Sequence, residues 1–160
     1  YKTDKVNGFI KLLHKNKYDG FVFGSPVHYA SATGFITPFM DRLFYSQHSS
    51  HSKIFDGKPA AAIVTCRRSG SSATLDQLNK YFTISNMPVV SSQYWNVTHG
   101  FSPKEIKNDL VGLQTMRTLG RNMAWLIKCI KSGKKDGIEF PELEPSILED
   151  INSNKKKENL

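Results

Sequence analysis

Val6, Phe9, Ile10 and Leu13 recur at helical spacing with Lys5, Lys11, Lys15 and Lys17 set between them, which predicts an amphipathic helix ending near Asn16. Asp19-Gly20 then opens Phe21-Val22-Phe23-Gly24, a short β-favouring apolar run expected to stop at Ser25-Pro26, because proline cannot donate to a ladder. Apolar residues at 32, 35, 36, 39, 40, 43 and 44 outline a second helix with Pro38 in its first turn or at a kink. Residues 45–58 read as a polar surface connection closed by Asp56-Gly57-Lys58-Pro59. Ala60 to Val64 is apolar without alternation, the pattern of a strand covered on both faces. A loop from Cys66 to Ser72 leads to a third helix marked by Leu75, Leu78, Tyr81 and Phe82, with Thr74 and Gln77 spaced as a capping box. Met87–Val90 is the next strand expected, extended by Tyr94–Val97.

The clearest helix start is Ser102-Pro103-Lys104-Glu105, an N-cap serine, a proline at the first helical position and a glutamate three residues past the cap. Apolar residues from Ile106 to Ile130 carry that helix to a stop at Ser132-Gly133. Residues 1–133 are thus expected to form one domain, and residues 134–160 an extended tail. Strands alternating with helices predict an α/β fold with a parallel sheet. Only three strands are visible, and the series opens on a helix, whereas doubly wound sheets begin with a strand and have five or more.

Composition narrows the function. With 160 residues the chain suits one domain, and no apolar run reaches the ~20 residues of a membrane span, so a soluble protein is expected. Two cysteines, Cys66 and Cys129, are too few for a disulfide scaffold or for four thiolates around an iron-sulfur cluster, and fit a cytoplasmic location. The net charge of +8 is uneven: residues 1–135 hold 19 Lys and Arg against 7 Asp and Glu, residues 136–160 hold 3 against 7. The basic residues are scattered rather than gathered along one helix, which favours attraction to phosphates over a nucleic-acid face. An arginine six residues after Cys66 would make a phosphatase loop, but Ser72 stands there. Neither a phosphate-binding loop ending in Gly-Lys-Ser/Thr nor a Gly-x-Gly-x-x-Gly fingerprint occurs, and His48 and His51 lack acidic or thiol partners nearby in sequence for zinc. Trp95 and Trp125 fit core or subunit packing.

Ligands of open α/β sheets bind beyond the carboxyl ends of the strands, and two segments of unusual composition fall there. The first is Gly24-Ser25-Pro26-Val27-His28-Tyr29-Ala30-Ser31, a tight strand exit with backbone groups and an aromatic ring to offer a planar heterocycle. The second is Cys66-Arg67-Arg68-Ser69-Gly70 with Ser71 and Ser72, just ahead of a helix N-terminus whose free amides favour an anion or an electron-rich ring edge. Both are expected to open on the same side of the sheet.

The first segment, with Asp41-Arg42-Leu43-Phe44 downstream, resembles the Gly-Ser-Pro-Val-Tyr pattern of the NADPH-dependent FMN reductases of the flavodoxin-like superfamily, close to the iron-sulfur flavoproteins. Gly57-Lys58-Pro59, Cys66-Arg67-Arg68, Asp76 to Phe82, Met87 to Val90, Tyr94-Trp95-Asn96 and Gly112 to Gly120 are similar to the same family, so the resemblance covers most of residues 20–130. It implies a flavodoxin-like three-layer sandwich that binds FMN without a covalent link. It also implies hydride transfer from NADPH or NADH to the flavin N5, with electrons passed to a small-molecule or protein acceptor. The alternative is an electron carrier that binds FMN without turning over NAD(P)H. Residue by residue, Ser25, Pro26, Val27, His28, Tyr29, Ala30 and Ser31 match the loop beside the isoalloxazine and ribityl chain, with His28 where the pattern has tyrosine. Cys66, Arg67, Arg68, Ser69 and Gly70 match the loop at the far edge of the ring. The family's first strand, its phosphate-wrapping loop and any iron-sulfur cysteine cluster are expected to precede Tyr1. Self-association is implied as well, with Phe44 and Tyr45 as exposed aromatic candidates; no membrane or nucleic-acid partner is expected.

Overall fold

A computed structural model of the chain describes residues 4–15 and 17–144. Its elements are α1 (Lys5–Lys15), β1 (Phe21–His28), β2 (Ser31–Ala32), α2 (Ile36–Ser49), β3 (Ala60–Cys66), α3 (Ser71–Ile84), β4 (Val97–His99), α4 (Pro103–Asn108) and α5 (Leu110–Lys135). The sheet order is β2-β1-β3-β4, with β1, β3 and β4 parallel and the two-residue β2 folded back antiparallel on the end of β1.

β1 does not stop at Ser25-Pro26 but continues to His28, with Pro26 opposite Thr65. The Phe21 N–H points toward β3, where it meets the Pro59 carbonyl. By the two-residue period the missing Pro26 donor therefore falls on the outer edge, where it removes no bond of the β1–β3 ladder. Among the described residues that outer edge is paired only by β2, against Val27 and His28.

Two apolar layers flank the sheet. On one face Phe21, Phe23, Met40, Leu43, Phe44, Leu75, Leu78 and Phe82 join α1, α2 and α3 to the strands, with close ring contacts such as Phe44–Phe55 at 4.7 Å and Phe23–Phe82 at 5.5 Å. Each such side chain contributes roughly 1.5–3 kcal/mol by leaving water. On the other face Ala61, Val90 and Leu119 pack with Ile63, Met116, Met123 and Leu126 beneath α5. β3 is covered on both faces, as its unbroken apolar run predicted.

Several boundaries differ from the sequence reading. α2 starts at Ile36 and places Pro38 in its first turn, but runs on to Ser49, so residues 45–49 are helical and Gln47 is buried. Met87–Val90 is not a strand; a single bridge joins Val89 to Ala60. The chain then leaves the sheet because α5 holds it: Ser92 Oγ donates to the Thr115 carbonyl (2.7 Å), Asn122 Nδ2 to the Ser91 carbonyl (2.8 Å) and Thr118 Oγ1 to Gln93 Oε1 (2.6 Å). Pairing resumes along the same edge of β3 only at Val97. The helix starting at Ser102 is two helices, since Asp109 ends α4 and caps α5 through the Gly112 N–H (3.0 Å). α5 passes the expected stop at Ser132-Gly133 and ends two residues later, at Lys135. Of the expected tail, residues 136–144 lie beyond α5 and the rest lies outside the described residues. No helix among the described residues is long and apolar enough to cross a membrane.

Candidate functional site at the carboxyl rim of the sheet

The first candidate segment ends in a two-residue turn. Tyr29 (φ 50°) and Ala30 (φ 60°) both adopt left-handed backbone between His28 and Ser31, which pair across β1 and β2. This is the conformation of a tight type I′ hairpin, normally given to Asn and Gly, and two ordinary side chains occupy it here. Its hold comes from outside the turn. Gln77 Oε1, on α3, accepts from both Ser31 Oγ (2.8 Å) and the Ala32 N–H (3.0 Å). Ser25 Oγ accepts from the Thr33 N–H (3.0 Å) and donates to the Pro26 carbonyl (2.8 Å). The fixed turn leaves the Tyr29 ring wholly in solvent, beside exposed Pro26, His28 and Ala30.

The second segment meets the first. Gly70, the N-cap of α3, has φ 86°, and a Cβ there would lie 2.6 Å from Ala30 Cα and 3.0 Å from Val27 Cγ1. Only glycine lets the two loops approach this closely. Thr74 and Gln77 do not form the expected capping box: Thr74 is fully buried, Gln77 is committed to the hairpin, and no side chain caps α3. The first-turn amides of α3 therefore face the rim without a side-chain acceptor, which suits an anion or an electron-rich ring edge.

The predicted site residues divide by burial. Pro26, Val27, His28, Tyr29, Ala30, Ser31, Arg67, Arg68, Ser69 and Gly70 lie along the rim, wholly or partly accessible, whereas Ser25 and Cys66 are buried. Ser25 braces the hairpin from below, and Cys66 closes β3, its carbonyl accepting from the Gly100 N–H (3.0 Å). The Arg67 guanidinium lies 4.8 Å from the centre of the exposed Phe101 ring.

A third side of the rim went unread in the sequence. A cleft of about 380 Å³ is lined by Arg67, His99, Gly100, Glu105, Asn108 and Asp109. Asp109 Oδ2 accepts from the His99 N–H (2.7 Å) and lies 3.9 Å from His99 Nδ1. Burial alone would raise the Asp109 carboxyl, but the N–H groups of Gly112 and His99 and the His99 imidazole outweigh it and hold the group below its ordinary value. The available signal was His99-Gly100 at the end of a strand and just ahead of the Ser102 helix start, the same strand-exit position as the other two segments.

Larger cavities lie elsewhere, between α2 and α3 (about 460 Å³) and at their carboxyl ends (about 400 Å³). In the first, the Tyr81 hydroxyl donates to the Asp41 carboxylate, and burial followed by that bond and charge pushes Tyr81 up to about 12. Phe44, expected as an exposed aromatic, is buried in the core, whereas Tyr45 is exposed; Trp95 and Trp125 are exposed and so are not core residues. No cluster of three or more metal-ligating side chains exists among the described residues.

Comparison with known proteins gives the family and the fold. Residues 1–102 match the family of NADPH-dependent FMN reductases. An iron-sulfur flavoprotein of Methanocaldococcus jannaschii is 30% identical over 133 residues, 80% of this chain and 67% of that protein. Among solved structures, the flavodoxin, WrbA-like protein of Agrobacterium tumefaciens superposes with a TM-score of 0.51 at 16% identity, over 72% of this chain and 73% of that one. General stress protein 14 of Treponema denticola, solved in complex with FMN, superposes with a TM-score of 0.50 at 14% identity, over 78% and 72%. The fold is flavodoxin-like, and the chain belongs to the NADPH-dependent FMN reductase family.

Proposed function

We propose that the rim formed by residues 26–31 and 67–70 holds the isoalloxazine ring of FMN, with Ser25 and Cys66 supporting it from within the sheet. As a family member the chain is an FMN-binding, NAD(P)H-dependent oxidoreductase. The observation that carries the placement is the contact of Gly70 with Ala30, which brings both loops and the uncapped start of α3 to one line. When bound there, FMN would supply the two-electron redox chemistry that links NADPH or NADH to an acceptor. The protein's part is orientation and field. Amides at the start of α3 stabilise negative charge at the ring edge without donating a proton, so no acid–base pair is required there. The Gln77-braced hairpin fixes the opposite loop, and Arg67 and Arg68 attract the phosphate of FMN or the 2′-phosphate of NADPH.

The acceptor is a small molecule or a redox protein in solution in the cytoplasm. Self-association, if through exposed aromatic surface, uses Tyr94, Trp95 and Trp125 rather than Phe44. Residues 1–133 act as the flavin domain, with 134–160 as an appended tail. Anaerobic stopped-flow of the FMN-loaded protein tests the reading: NADPH bleaches the flavin at a catalytically useful rate. Bleaching by a reduced protein donor but not by NADPH or NADH would instead make the chain an electron carrier.

A further inference from the structure

The two largest cavities are one groove, because Phe44, His48, Ile84 and Ser85 line both. It runs between α2 and α3, on the face of the sheet opposite α5 and away from the carboxyl rim. Its upper part is mostly apolar, between the exposed side chains of Tyr45 and Ile84 with Asp41 and Arg42 at its edge, and its lower part carries His48, His51, Lys53 and Asp56. Left open to water, such an apolar surface is costly.

The chain itself approaches this groove. After α5, Phe140 lies over Gly57, where a Cβ would come within 2.7 Å of its ring. Glu142 follows, with its carboxylate 3.8 Å from Lys53 Nζ, and Leu143 lines the lower part of the groove. The next stretch of sequence is Glu144-Pro145-Ser146-Ile147-Leu148-Glu149-Asp150-Ile151. It offers three large aliphatic side chains for the apolar half. Residues 142–150 hold four carboxylates and no Lys or Arg, and the first of them, Glu142, is the one that meets Lys53. Reach is ample: eight extended residues span about 26 Å, against roughly 10 Å along α2 from His48 to Asp41.

We infer that the groove between α2 and α3 is an intramolecular docking site for residues 145–151 of the same chain, entered at Leu143 and filled by Ile147, Leu148 and Ile151. The inference is independent of the flavin site, at the other end of α3.

Thiol accessibility tests it on the full chain. With Cys129→Ser removing the exposed native thiol and Cys66 buried, Ile84→Cys places a reporter on the groove wall. The added change Leu148→Asp is expected to speed maleimide labelling of that cysteine at least fivefold, and to leave unchanged a cysteine at Ala124→Cys on the exposed side of α5. An unchanged rate at position 84 would overturn the inference. A second variant, Ile84→Cys with Leu148→Cys, is expected to oxidise to a disulfide within one chain, identified by peptide mass and by unaltered oligomer size. Disulfides formed only between chains would assign the groove to a second copy and overturn the proposal, as would a yield no higher than that of an Ala124→Cys, Leu148→Cys control pair.

Discussion

Replacing Gln77 by alanine removes one oxygen that serves two donors, Ser31 Oγ and the Ala32 N–H. The Ser31 hydroxyl can turn to water, but Ala32 is 7% exposed, so its amide loses a partner that solvent replaces poorly. An unsatisfied buried donor costs about 1–3 kcal/mol. The same clamp holds Tyr29 and Ala30 in left-handed backbone, each about 1–2 kcal/mol above its relaxed state. Once released, the turn has reason to open, and re-forming it must then draw on FMN binding energy. At about 1.4 kcal/mol per tenfold, the FMN dissociation constant should rise by roughly 5- to 150-fold, read by quenching of flavin fluorescence during titration. Gln77→Glu keeps an acceptor oxygen and should restore affinity to within a few-fold of the parent. If Gln77→Ala lowers the melting temperature yet leaves FMN affinity within threefold, the hairpin is structural only and its assignment to the flavin site is wrong.

Gly70→Ala should both destabilise the fold and weaken FMN binding, because its Cβ would strike Ala30 while its backbone stays left-handed; chemical denaturation should show a loss of about 1 kcal/mol or more. Asp109→Ala should cost about 0.5–2 kcal/mol through the lost cap of α5. Since the folded Asp109 carboxyl is held below its ordinary 3.8, the advantage over Asp109→Asn should be complete above that pH and vanish as pH falls below it, in denaturation midpoints across pH 2–6. Tyr81→Phe should flatten the alkaline limb of stability. Tyr81 titrates near 12 folded against 10.0 unfolded, so its contribution is whole below pH 10 and is lost as pH rises toward 12. Arg67→Ala should raise the KM for NADPH more than that for NADH if Arg67 meets the 2′-phosphate, and equal changes would remove that role.

Local physics made much of the fold readable. The Val6–Leu13 periodicity gave α1, the unbroken run at Ala60–Val64 gave a strand covered twice, and Ser102 caps α4 as spaced, its Oγ accepting from the Glu105 N–H at 3.3 Å, while the Glu105 carboxylate accepts from the Phe101 N–H (3.0 Å). Failures came where tertiary partners decided. Pro26 stays in β1 because its missing donor faces the edge away from β3. Met87–Val90 has strand composition, but α5 pulls the following serines off the sheet. Gln77 sits three residues after Thr74, yet bonds across space to residues 31 and 32. At the rim, composition marked both loops at strand exits, whereas the tight Tyr29-Ala30 turn uses residues that carry no turn signal. The His99–Asp109 pair was invisible because it spans ten positions and a helix break.

The placement of the flavin is tested most directly by hydrogen exchange of the protein with and without FMN. Amides of residues 27–31 and 67–73 should slow on FMN addition, with those of residues 41–48 and 81–85 in the larger α2–α3 groove unchanged. Slowing confined to the groove, with the rim exchanging as before, would contradict the account.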